Sequence, residues 1–132
     1  MIKLFATCIM SGTTFSPRAT ETLIGIPLKE KVEPGGFTAR GRFRDTPAPD
    51  GSAELRPDCP GEDYSSLERL VDLVGEKKAA LYASGVDDFK LYVAISYCQQ
   101  CNLEFSSRLL SKIAQLDIPL LISAYESEDK IG

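Results

Sequence analysis

Between residues 88 and 125 the chain alternates, then changes period, then alternates again. Over 89–97, Phe89, Leu91, Val93, Ile95 and Tyr97 take every second position, with Lys90, Tyr92, Ala94 and Ser96 between them. Successive strand side chains point to opposite faces, so this spacing predicts a strand with one strongly apolar face. A one-residue slip would turn that whole row toward water, so the register is well specified. Over 106–116 the spacing becomes helical. Leu109, Ile113 and Leu116 recur on one face with Leu110 beside them, while Arg108, Ser111, Lys112 and Gln115 take the wet side. Ser106 is a good N-cap, and Phe105 and Leu110 have the spacing of a hydrophobic staple around it. Asp117 and Pro119 stop the helix, because Pro119 disfavours helical geometry at Ile118. A second strand is expected over 118–125, with Ile118, Leu120, Ile122 and Ala124 on one face. A strand–helix–strand unit this short favours parallel strands and a right-handed crossover. Leu91, Val93, Ile95, Leu109, Ile113 and Leu120 are the expected shared core.

The rest of the chain carries weaker patterns. Over 2–10, Ile2, Leu4, Ala6, Cys8 and Met10 share one face and Phe5 and Ile9 the other, as in a central strand. Ser16-Pro17 opens a short helix, with Pro at the first helical position behind a serine cap, and Gly25 ends it. Residues 29–33 read as an exposed segment. Residues 37–44 alternate again, so the opening of the chain forms another strand–helix–strand unit. Residues 45–51 are turn material, and 52–56 form a weak returning strand. Ser65 and Glu68 have capping-box spacing. Leu67, Leu70, Val71 and Val74 then repeat at helical intervals, with Gly75 expected to end that helix and a further turn or two reaching Gly85. This order predicts an α+β fold: one mixed sheet of four or five strands with helices mainly on one face and two β-α-β units, ferredoxin-like in spirit.

The 132 residues suit a single domain, with 126–132 expected as a flexible tail. A hydrophobic content of 43% beside 26% charged residues excludes a largely disordered chain. The net charge of −4 argues against general nucleic-acid binding, which rests on basic surfaces. No stretch is long enough to span a membrane, and the N-terminal apolar run reads as a first strand rather than a signal peptide. Histidine is absent, which removes the commonest general base and metal ligand and excludes Ser–His and Cys–His nucleophile systems.

One resemblance covers nearly the whole chain. Ser16-Pro17…Leu23-Ile24-Gly25-Ile26-Pro27, followed by Tyr97-Cys98-Gln99…Asn102-Leu103-Glu104-Phe105-Ser106…Leu110…Ile113-Ala114…Leu116-Asp117-Ile118…Ile122-Ser123…Tyr125, resembles a bacterial family of small proteins, domain of unknown function 4279. The matching residues are caps, turns and core positions. The resemblance implies a small bacterial intracellular protein and supplies no catalytic residue.

Four constellations invite chemistry. Cys98-Gln99-Gln100-Cys101 has the spacing of a redox pair or half a zinc site, the latter needing Cys8 and Cys59 as further ligands. Cys98 lies at a strand end and Cys101 well before the Ser106 cap, so two ordinary cytosolic thiols are expected, with no metal and no cofactor. Arg40, Arg42 and Arg44 form a cationic stripe at strand spacing, suited to an acidic partner or to discouraging pairing at a sheet edge. The carboxylate pairs Asp87-Asp88 and Glu62-Asp63, and the acidic residues from Glu126 to Asp129, fall at element ends, where capping and solvation are expected. Tyr92, Leu121 and Tyr125 oppose the main apolar rows and would lie exposed together if helices cover only one side, the alternative being that the helix pair covers them. The expected function is a non-catalytic, cytoplasmic interaction domain, regulatory or immunity-like, with a protein partner or a second copy of itself. The alternative is a thiol-redox or zinc protein built on Cys98 and Cys101. No motif supports a small-molecule enzyme.

Overall fold

The computed structural model describes residues 2–36, 46–58 and 61–127. Among these, eight elements follow in order: β1 (Lys3–Gly12), α1 (Pro17–Ile24), β2 (Lys29–Val32), β3 (Gly51–Leu55), α2 (Tyr64–Ala83), β4 (Asp88–Tyr97), α3 (Ser107–Leu116) and β5 (Leu120–Glu126). The strands form one open sheet in the order β2-β3-β1-β4-β5. Neighbours are antiparallel except β4 and β5, which run parallel as the short crossover through α3 requires. The first six elements, with β3 inserted between β1 and β2, have the split β-α-β layout of ferredoxin-like folds. The α3–β5 pair extends that layout by one strand.

The core lies between the sheet and a single helical layer. Leu4, Ala6, Cys8 and Met10 of β1 and Phe89, Leu91, Val93 and Ile95 of β4 are buried against Leu67, Leu70, Val71, Val74 and Leu81 of α2. α3 adds Leu109, Ile113 and Leu116. Its start follows the expected chemistry, with Ser106 Oγ accepting from the Leu109 N–H at 3.1 Å. α1 likewise begins on Ser16 with Pro17 in its first turn, and ends at Gly25 with a left-handed φ of 70°.

Several expectations are corrected. α2 does not stop at Gly75 but runs unbroken to Ala83. Gly75 sits inside the helix beside Leu116 of α3, where a Cβ would make only ordinary contact at 3.7 Å. Its N-cap is Asp63 rather than Ser65. The Asp63 carboxylate accepts from the Ser66 N–H, and Glu68 instead reaches across to Lys112 and Arg108 on α3. Residues 29–32, read as an exposed segment, are the edge strand β2, and the weak returning strand is β3, an interior strand beside β1. Glu126, expected in the tail, pairs with Tyr97 as the last residue of β5. Tyr97 itself is only half-buried. Leu120 was expected in the core but keeps 41% of its surface exposed. The cause is the placement of α3: it packs toward α2 and stands off from β5, leaving a narrow apolar groove of about 100 Å³ lined by Val93, Phe105, Leu110, Ile113, Leu120 and Ile122. The strand expected over 37–44, and Arg40, Arg42 and Arg44 with it, lie outside the described residues.

Candidate functional site: the open face and outer edge of the sheet

Every described helix packs on one side of the sheet, so the alternate row of each strand faces outward. The register places these residues in bands across the sheet. Thr7 lies opposite Tyr92 and Tyr92 opposite Leu121. One step along, Phe5 lies opposite Ala94 and Ala94 opposite Ser123. A further step puts Lys3 beside Ser96 and Ser96 beside Tyr125. On the other side of the Tyr92 band, Glu54, Ile9 and Lys90 line up. The small side chains Ala94 and Ser123 thus form a trough between Tyr92 and Leu121 on one side and Tyr125 on the other, with Phe5 at its end. Phe5 and Tyr125 are each 51% exposed.

The sequence pattern brings Tyr92, Leu121 and Tyr125 to one face, as expected. It also puts Phe5 and Ile9 opposite the core row of β1, which is the central strand that its two apolar faces suggest. No described helix covers that second face. A shallow groove of about 270 Å³ lies over this face, lined by Phe5, Thr7, Tyr92, Glu54 and Arg56. Its charges are partly engaged with each other: Arg56 pairs with Glu54 at 3.3 Å, and Thr7 Oγ1 donates to Glu54 at 3.1 Å. The surface is therefore aromatic and aliphatic with a polar border in which Arg56 and Glu54 offset each other and Lys3 and Lys90 stay exposed.

The cysteines are placed differently from a shared site. Cys98 and Cys101 are half-buried and reduced, in the connection from β4 to α3. Gln99 between them takes a left-handed φ of 68°, and the Gln100 N–H donates to the Cys98 carbonyl at 2.8 Å, so the chain turns sharply without glycine. Cys101 packs against the core with Leu103 and Phe105. Cys8 faces the core at the level of Leu91, seven residues before Cys98, or roughly 20 Å along the strand. It cannot join them as a ligand. Burial pushes its thiol up to about 12, only partly offset by a hydrogen bond with the Lys90 backbone. Cys59 lies outside the described residues. Among the described residues no three His, Cys, Asp or Glu side chains converge as a metal site.

The carboxylates serve structure. Asp63 caps α2. Glu68 bridges to α3 and is held below the usual carboxylate range by the hydrogen bond from Lys112, with Arg108 close by. Lys112 also reaches Asp72 at 3.0 Å, and Arg69 forks onto Asp58 at 2.8 Å. These pairs border a groove of about 480 Å³ between α2 and α3. Lys78 donates to the Leu116 carbonyl at the end of α3. Among the described residues no helix is long and apolar enough to cross a membrane. No family model, curated protein or solved structure matches the chain.

Proposed function

We propose that this is a non-catalytic protein-interaction domain, regulatory or immunity-like, whose docking surface is the helix-free face of the sheet. The observation that carries this reading is the in-register display of Phe5, Ile9, Tyr92, Leu121 and Tyr125 on that face. Two further facts support it. The chain contains no histidine, and Asp63, Glu68, Asp72 and Asp58 are engaged in caps and ion pairs. The likeness to domain of unknown function 4279, a cytoplasmic setting and the absence of nucleic-acid binding belong to the same proposal.

Affinity capture from the source cell, with the full chain as bait, tests it. A partner should be retained by the native protein and by a variant with Arg40, Arg42 and Arg44 neutralised, and lost when Phe5 and Ile9 are both changed to Ser. The same captured set on native and Phe5→Ser/Ile9→Ser baits, both folded by circular dichroism, would refute it.

The second reading, a thiol-redox or zinc protein, draws on the sharp Gln99 turn that folds Cys98 and Cys101 into one connection. Metal analysis with thiol counting on the native protein separates the two. Stoichiometric zinc, or a Cys98–Cys101 disulfide that exchanges, would favour the second.

A further inference from the structure

The two outer strands of the sheet are built differently. β2 carries Lys29, Glu30 and Lys31. Glu30 is left-handed, at φ 52°, and the register with β3 shifts between Lys29 and Val32. Charge and a bulge are two of the devices that stop an edge from pairing with another chain. β5 has neither. From Leu120 to Tyr125 it is uncharged, and it runs in unbroken register with β4 from Leu91↔Leu120 to Tyr97↔Glu126. Pro119 sits just before the strand and not within it. No described segment pairs with its outer side.

The ladder shows which backbone groups face outward. The Pro119 carbonyl accepts from the Leu91 N–H at 2.9 Å, and the Ser127 N–H donates to the Tyr97 carbonyl at 2.6 Å. Odd-numbered residues here direct their backbone groups toward β4. Strand alternation then turns the N–H and C=O of Leu120, Ile122 and Ala124 away from the sheet.

We propose that a second copy of this chain pairs with β5 in antiparallel register, across a two-fold axis perpendicular to the sheet at Ser123. The inference goes beyond the open-face reading and does not depend on it, since the contact lies along the strand edge. A perpendicular two-fold keeps both helical layers on the same side, so facing positions must sum to an even number. Centring on Ser123 sets Leu121 opposite the partner's Tyr125 on the open face, and Ile122 opposite the partner's Ala124 on the helix side, each twice by symmetry. The outward-facing Ile122 and Ala124 become a hydrogen-bonded pair, large beside small. The same register sets Leu120 opposite the partner's Glu126 at each end of the paired segment; shifting the axis to Ala124 would bring Glu126 inward against Ile122, and shifting it to Ile122 would set Ile122 against itself.

Charge and area favour a second copy over an unlike partner. A basic partner would be recognised through carboxylates, and this strip has none before Glu126, although the chain carries a net charge of −4. Leu110, Leu120, Leu121, Ile122 and Tyr125 keep 41% to 51% of their surfaces open. At about 200 Å² for side chains of this size the most they could bury is roughly 400–500 Å² per copy. The pair, with strand backbone added, comes close to the total of about 1,000 Å² that a stable interface should clear. Because the contact is isologous and the β2 edge is guarded, growth stops at two.

Sedimentation and light scattering on the full chain test this across the micromolar range. The expected result is a monomer–dimer equilibrium, weakened about a hundredfold or more by Ile122→Lys, which places two charges in the apolar row. The pairing should be untouched by Phe5→Ser, which lies two strands away. With Cys59, Cys98 and Cys101 changed to Ser, Ser123→Cys should form an intermolecular disulfide. A facing pair without mutual hydrogen bonds brings those positions within disulfide reach. This trap carries the test if Ile122→Lys fails to fold. A monomer at high micromolar concentration overturns the pairing while leaving the open-face reading to the capture experiment. A dimer indifferent to Ile122→Lys overturns the edge, and faster trapping at Ile122→Cys or Ala124→Cys overturns the register.

Discussion

β2 and β5 close the same sheet at opposite ends, and different forces hold them there. β2 is tied down by polar contacts from α1. The Glu21 carboxylate accepts from the Leu28 N–H at 2.7 Å and pairs with Lys31 at 3.0 Å, while Glu33 accepts from Ser16 Oγ at 2.5 Å and from the Arg18 N–H at 3.1 Å. β5 is held by its ladder to β4 and by the apolar seat of α3 on α2, reinforced by Lys112 between Glu68 and Asp72. An edge that is charged by sequence thus becomes a strand through its neighbours, and an edge that is apolar by sequence remains partly bare.

The largest effect that would break this comparison lies under the β5 side. Ile113→Ala removes a side chain at the centre of the α3 seat and should cost about 2–5 kcal/mol. The lower half of that range is expected, because Ile113 borders the narrow groove beside Leu120 and the site can partly collapse. Chemical denaturation measures it. A loss below about half a kcal/mol, the range of ordinary surface changes, would mean that packing does not hold this end.

The two ends also explain what could be read from the chain. The β4–α3–β5 unit was legible because its alternation, cap and proline stop agree with one another. The outward row of Tyr92, Leu121 and Tyr125 was legible for the same reason. Alternation reveals which face is apolar but not whether anything lies over it. Leu120 was therefore expected in the core, but it keeps 41% of its surface exposed. β2 was missed because its Lys-Glu-Lys pattern has no apolar row, and what holds it are polar contacts between Glu21 and Leu28 and Lys31 and between Glu33 and Ser16 and Arg18, which alternation does not reveal. Gly75 misled because a glycine was taken as a helix end, whereas the apolar row of α2 continues past it to Leu81 and carries the helix on to Ala83.

Acid sharpens the contrast next. Glu21 is held below its ordinary 4.5, first by the Leu28 N–H and then by Lys31, and Glu68 is held below 4.5 mainly by Lys112. A carboxylate with a lowered folded-state pKa stabilises above its unfolded value, and that contribution is lost as pH falls through the lower folded value. Both ends should therefore weaken below pH 4.5, β2 through Glu21 and α3 through Glu68. Glu21→Gln should lower stability at neutral pH and flatten the acid decline in thermal melts. An acid limb unchanged in both Glu21→Gln and Glu68→Gln would show that these contacts do not stabilise the fold.

Removing one guard at β2 should do less. Lys29→Val deletes a charge but leaves the Glu30 bulge and its register shift, so the β2 edge should still refuse partners. Light scattering should find the same association as in the native chain. Growth into larger, open-ended species would mean that charge alone protected this edge.

The smallest effect is expected at the cysteines, which lie on neither edge. Cys98 is half-buried in the connection after β4, so Cys98→Ser should change stability by about half a kcal/mol or less. Cys101→Ser should cost more, because that thiol packs against the core beside Leu103 and Phe105. Cys8 supplies the internal control. With its thiol pushed up to about 12 by burial, it should resist alkylation in the native protein at neutral pH and react only when the chain unfolds. Alkylation followed by mass analysis reads all three positions at once. Modification of Cys8 before Cys98 would show that the central strand opens more readily than the loop, contrary to a core in which β1 sits between β3 and β4.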